Sequence, residues 1–328
     1  MNSKIRVIIP IRGSEEFDIL DDNYDLLLKE IIQLGEEKYF IQLLDEKEEQ
    51  YKKIIDLRIR VILSSKYENN VDEEVEEFSK KYKFFKTEWI GEYLELEFTF
   101  LHKLTIFTEI VINHIIKRLS LILHLSYNTK IDFLSGLIFN SSNNKRLIGK
   151  TEILMSDIDM AYGHAIKINW PTIKQPTINQ TIDWFIHHNF HLDDISQTKI
   201  QRAINAFSYS FSNLSEKHTS ELFWTMIGIE GLLAEGSSNI ISQIKIKTSI
   251  LLEEPKEFKK KLEKLYNYRS RLVHGDLNFP PKYSNDFDGF EREYWDYSEF
   301  ALSILIALVK ELIIENKTEF KFEYKRIK

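Results

Sequence analysis

The sequence predicts a mixed fold, an N-terminal α+β domain over residues 1–175 followed by an all-α helical bundle over 180–328. Three observations predict it. A chain of 328 residues exceeds the roughly 250 residues at which single cores stop growing, so two domains are expected. Only 11 Gly and 6 Pro interrupt it, which favours long helices. The pattern also changes at NWPTIKQP (169–176). Pro171 and Pro176 each force the residue before them away from helix, and 169–178 is the expected linker.

Ahead of that stretch, residues 4–11 (KIRVIIPI) are β-branched and alternate loosely, as a strand does. Residues 22–64 have mixed apolar spacing and few breakers, so helix is expected for most of them. Val71, Val75 and Phe78 have helical spacing within 71–82. Residues 91–99 read as a strand, with Leu94, Leu96 and Phe98 on one face and Tyr93, Glu95 and Glu97 on the other. Helix is expected over 100–118, then strands over 119–127 and 135–141.

Beyond the linker nearly everything has helical spacing. Helices are expected over 196–212, 219–235, 238–252, 255–267 and 292–316. The second has a broad apolar face (Leu222, Phe223, Met226, Ile229, Leu232, Leu233), a cap at Thr219 or Ser220 and Glu221 in its first turn. Ser238 or Asn239 should open the third. Pro255 suits the start of the fourth.

Composition excludes several classes. At 43% hydrophobic and 29% charged residues the chain is globular rather than disordered. With no cysteine it has no disulfide scaffold, thiolate metal site or thiol nucleophile. The first apolar run is broken by Pro10 and Arg12, too early for a signal-peptide core. No apolar stretch approaches the ~20 residues of a bilayer span. A cytoplasmic protein with no membrane partner is expected. The phosphate-cradling G-x-x-x-x-G-K-[ST] and G-x-G-x-x-G runs are absent, as is G-x-S-x-G. No cofactor and no metal are expected. His187 and His191 have i, i+4 ligand spacing, but His188 stands where a zinc protease has Glu, and an ordinary helix end with exposed His is the simpler reading.

Net charge is −7, against a uniformly basic nucleic-acid coat. The charge is uneven, however. Segment 68–77 has six acids and no base, whereas 256–271 has seven bases and two acids. An anionic partner should meet the second. There the chain reads LYNYRSRLVHGD (265–276). Arg269 and His274 lie five apart, about 140° past a full helical turn, so both can border one cleft. Gly275 suits the position just past a helix end, and a His there can work near neutral pH.

This run resembles the HEPN superfamily, small helical bundles with an R-x4–6-H motif, and within it the Apea-like HEPN group. Tyr266, Arg269, Ser270, Leu272, Val273, His274 and Gly275 carry the resemblance. So does the upstream helix Phe223–Leu233, with Trp224 and Glu230 where that group tends to have an aromatic and a Glu. The resemblance covers roughly 180–316 and departs from the commonest pattern at Ser270, where Asn, Asp or His is frequent. It implies a metal-independent endoribonuclease, often an antiviral or abortive-infection toxin. Its members commonly pair, so that RNA and a second copy of the chain are the expected partners, with a composite active site in the homodimer.

The chemistry fits those residues. The substrate's own 2′-OH attacks phosphorus, which needs a base, an acid for the leaving 5′-oxygen and positive charge on the phosphorane. His274 can be base or acid, and Arg269 can hold the phosphate bidentately. Ser270 can donate to phosphate or hold the imidazole. Arg271, Lys264 and Lys261 widen the electrostatic footprint. Glu230, an acid amid apolar residues, needs a partner; Arg269 is the candidate, and the acid would then orient the guanidinium. The expected product is a 2′,3′-cyclic phosphate.

Other readings stay open. Arg269 and His274 can be a solvated helix end. Asp276 can be a turn residue or can orient the imidazole. The aromatics Phe287, Phe290, Tyr294, Trp295, Tyr297 and Phe300 can stack on bases or pack. The tail KTEFKFEYKRIK can add an edge strand or fray. The alternative to the enzyme is a catalytically silent HEPN module for dimerisation or RNA binding in a defence complex. Residues 1–175, outside the resemblance, would sense a trigger, select the RNA or bind a regulatory partner.

Overall fold

The computed structural model describes residues 3–12, 54–63, 92–101, 107–128, 131–140, 146–156, 158–190, 195–212, 220–236, 238–253, 258–278 and 291–322. The expected helix over 71–82 and the residues Thr219, Pro255, Phe287 and Phe290 lie outside them. The chain forms two compact units. One comprises 1–156 with 185–191, the other 157–184 with 192–328. The fold is mixed α and β.

The first unit is an antiparallel sheet built around β1 (Ser3–Arg12) and β3 (Glu92–Phe100), flanked by β2 (Ile54–Leu63), β5 (Leu137–Asn140) and β6 (Arg146–Lys150) in the order β2-β3-β1-β5-β6. The two residues of β4 (Asp132–Phe133) extend the β5 edge of β1. Alternation sets the faces. In register, Ile5, Val7 and Ile9 oppose Phe98, Leu96 and Leu94, and all six are buried. On the opposite face the buried Glu95 is paired with Arg6, and Glu97 with Lys4 at 3.5 Å. Gly136 is sterically required, since a Cβ there would lie 2.4 Å from the Ile8 carbonyl oxygen.

Two expectations are corrected in this unit. Of the window 22–64, only 54–63 lies among the described residues, and it forms a strand: Ile55, Leu57, Ile59, Val61 and Leu63 alternate, a two-residue period hidden inside a longer mixed window. Residues 119–126 are not a strand but the second half of helix α1 (Phe107–Ser126). That stretch is apolar at most positions, where periodicity cannot separate a buried helix from a buried strand. Its polar residues hold the answer. Ser126 Oγ donates to the Ile122 carbonyl at 2.8 Å, and His124 Nδ1–H donates to that of Ser120 at 2.7 Å; both reach back four residues, as only a helix allows. The other ring nitrogen, Nε2, accepts from Ser156 Oγ at 3.2 Å and from the Ile131 amide at 3.3 Å.

The second unit is helical: α2 (Ile158–Ile168), α3 (Ile178–His187, its last turn grouping with the first unit), α4 (Lys199–Ser208), α5 (Ser220–Leu233), α6 (Ile240–Leu251), α7 (Phe258–His274) and α8 (Glu291–Ile314). Helix α8 is apolar almost all round and buried from Phe300 to Val309, which makes it the central element. It packs against α2, α4 and α5. Buried Lys310 donates from α8 to the Tyr162 hydroxyl of α2 at 3.1 Å. Burial pushes the lysine's pKa well down and the tyrosine's well up.

The boundary between units therefore falls after Ser156, ahead of the stretch expected as linker. Residues 169–177 are indeed non-helical, but they are packed within the second unit. The Trp170 ring stacks on Phe258 with centroids 5.2 Å apart, and its Nε1–H donates to the Leu252 carbonyl at 2.9 Å. Proline placement marks a break in helix and carries no information about which domain packs around it.

Helix ends follow local chemistry. Thr198 and Gln201 form a reciprocal capping box on α4. Asn239 opens α6 as expected, but in a left-handed conformation without a side-chain cap bond. The Gln243 side chain instead takes the Glu235 amide at 2.8 Å and donates to the Glu235 and Ser238 carbonyls. The last turns of α2, α3, α7 and α8 close in one way: a residue with positive φ (Asn169, Asn189, Gly275, Asn316) follows the helix, and its amide and the next one bond back to the final turn. The tail adds no strand over 317–322. The Lys317 carbonyl accepts from Trp184 Nε1 at 2.8 Å. The Phe322 ring lies 4.8 Å under the buried Lys247 ammonium, which donates to the Leu233 carbonyl at the end of α5.

Candidate active site

The basic segment is one helix, α7, rather than a helix followed by a separate motif. It buries Leu262, Leu265 and Tyr268. Arg269 follows directly, so it leaves the helix at the rim of the buried face, 17% exposed. Its guanidinium meets Glu230 of α5 at 3.6 Å, and that carboxylate is 19% exposed. The carbon of the guanidinium stands 5.9 Å from the Phe223 ring centre. Phe223 and Glu230 are seven apart on α5, two turns along one side, so Arg269 lies across that side between a ring and an acid. Burial raises the Glu230 pKa, and Arg269 only partly opposes this. Arg269 Nε and Glu230 Oε1 have no hydrogen-bond partner among the described residues.

His274 ends the helix and is exposed. The Gly275 φ of +78° and the Asp276 amide, which donates to the Arg271 carbonyl at 2.8 Å, lock the turn. Asp276 serves that turn through its backbone. Ser270 is half-buried between Arg269 and His274 around the helix, whereas Lys264 and Arg271 are exposed. Lys261 belongs elsewhere. Its ammonium is 3.0 Å from Asp296 and 3.1 Å from His164 Nε2, and it lies over the Phe300 ring at 4.7 Å. On the opposite side of that imidazole, Nδ1 faces Glu299 at 3.3 Å. Lys261 sits more than two turns before Arg269, and its charge is engaged by an acid.

The aromatic tract divides likewise. Tyr294, Tyr297 and Phe300 are buried and hold helices together, as in the Tyr268–Tyr297 contact at 5.0 Å. One residue beside the site was not singled out in the sequence. Tyr209, just past α4, stacks on Trp224 of α5 at 4.0 Å and 8°. An aromatic after a helix end carries no periodic signal for its partner. Among the described residues, no group of three or more His, Asp or Glu is placed to hold a metal ion, and no helix is long and apolar enough to cross a membrane.

Comparison with protein-family models, curated proteins and solved structures finds no match to this chain.

Proposed function

We propose that the chain is a metal-independent endoribonuclease of HEPN type, acting as an antiviral or abortive-infection effector. The observation that carries this reading is the placement of Arg269 against Glu230 beside a helix end that exposes His274. A guanidinium held by an acid on one side keeps donors for a phosphate on the other. In the reaction, the 2′-OH gives its proton to a base and attacks phosphorus. The P–O5′ bond then breaks, the leaving oxygen takes a proton from an acid, and a 2′,3′-cyclic phosphate remains. Arg269 offsets the charge on the phosphorane.

Arg269 and His274 leave α7 about 140° apart and about 7.5 Å along its axis. One helix thus presents one imidazole for two proton transfers. A second copy supplies the other, which makes the working unit a homodimer with a composite site. Exposed Val273, between Arg269 and His274 around the helix and 47% accessible, is suited to lie in that interface.

The test is cleavage of total cellular RNA in EDTA by the full chain, beside His274→Ala and Arg269→Ala, with analysis of product ends. Loss of about 100- to 10,000-fold in the His274 variant, with fold and RNA affinity kept, is expected. A folded, dimeric wild type that binds RNA without cutting it would instead favour the silent binding module.

A further inference from the structure

We propose that Tyr209 and Trp224 form a stacking platform for an unpaired base of single-stranded RNA beside the phosphate held by Arg269. This rests on the ribonuclease reading for the phosphate, but on its own geometry for the base. Helices α4 and α5 run antiparallel along a close seam. Tyr209 meets Trp224, and Ala206 meets Gly228, where a Cβ would stand 3.3 Å from that of Ala206. Further along, Arg202 lies alongside Gly231, its Cβ 3.6 Å from where a Gly231 Cβ would be. Trp224 also touches Phe223 edge to face at 5.3 Å, and Phe223 carries the Arg269 guanidinium. Tyr209, Trp224, Phe223 and Arg269 thus form one unbroken series of ring contacts.

Two features indicate a base as the occupant. Tyr209 remains 53% exposed although its ring stacks on Trp224 at 8°, a contact that fixes the plane of the ring. Arg202, exposed on the same side of α4 two turns from Tyr209, and Arg269, against the Phe223 ring, place two cations near the rings. Aromatic rings near cations match a strand of alternating bases and phosphates, and stacking on such rings is tolerant of base identity. A duplex keeps its bases stacked on one another and cannot use the ring.

The experiment measures binding of fluorescein-labelled oligoadenylate and of its oligouridylate duplex to the full chain carrying His274→Ala, which prevents cutting. Adding Tyr209→Ala should weaken single-strand binding about 5- to 150-fold. Tyr209→Phe should stay near the parent, and the duplex should be unaffected by either change. A folded Tyr209→Ala protein that binds the single strand like its parent, or that loses duplex binding equally, overturns the platform. Wild-type cleavage without Tyr209 dependence would leave the ribonuclease reading standing and remove the platform. Tyr209-dependent binding without wild-type cleavage would do the reverse.

Discussion

The Arg269 guanidinium and the Glu230 carboxylate face each other at 3.6 Å across the α5–α7 contact, each less than one-fifth exposed. Removing the acid leaves a largely buried cation uncompensated. Glu230→Ala should therefore destabilise the fold by about 1–3 kcal/mol, measured by urea unfolding, and lower RNA cleavage by mispositioning Arg269. The pH dependence has a definite sign. Because the folded-state pKa of Glu230 is raised above its ordinary 4.5, the folded chain holds more protons than the unfolded one above that pH. This group's stabilising contribution is present below the unfolded pKa and is lost as pH rises through the folded value. Glu230→Gln should remove that component from a stability profile taken across the same range.

Gly275 follows His274 at φ +78°. Gly275→Ala should cost about 1 kcal/mol, because a Cβ is disfavoured in left-handed backbone. Gly275→Asn should cost less, since the chain itself places Asn at the same position after α2, α3 and α8. Thermal melts of the two variants would reveal the difference. If backbone geometry alone holds His274, cleavage should fall more in Gly275→Ala than in Gly275→Asn.

Lys310 is fully buried against Tyr162, with its pKa pushed well below the ordinary 10.5. The unfolded chain then holds a proton that the folded chain releases. Stability carried by this group is fully present above the unfolded pKa and is lost as pH falls through that window. Lys310→Met, similar in length and apolar, should flatten the rise of stability between neutral pH and pH 10 and raise the melting temperature at pH 7. Thermal unfolding of both proteins at several pH values decides it. An unchanged slope would mean that the ammonium stays charged in the fold.

Much of the helical half was legible. The apolar spacing of α5, the long α8 and the stop at Gly275 are local signals, and the structure carries all three. The need of Glu230 for a cation was legible too, since an acid amid apolar residues is costly unless paired. That its partner is Arg269, 39 positions later, was a choice among several cations. Lys261 was equally basic in sequence, yet it turns to Asp296 and His164.

Residue order by itself determined where α7 stops at Gly275, which faces of β1 and β3 are apolar, and where positive charge concentrates. These depend on backbone chemistry within a few residues or on period. Only the tertiary structure decided that Ser120–Ser126 continues a helix, that Trp170 packs on Phe258 rather than lying in a linker, and that Tyr209 lies flat on Trp224. Each of these depends on which distant surface removes a side chain from water, and burial is non-directional. Local pattern shows that a group must be covered, and the packing of the whole unit selects what covers it.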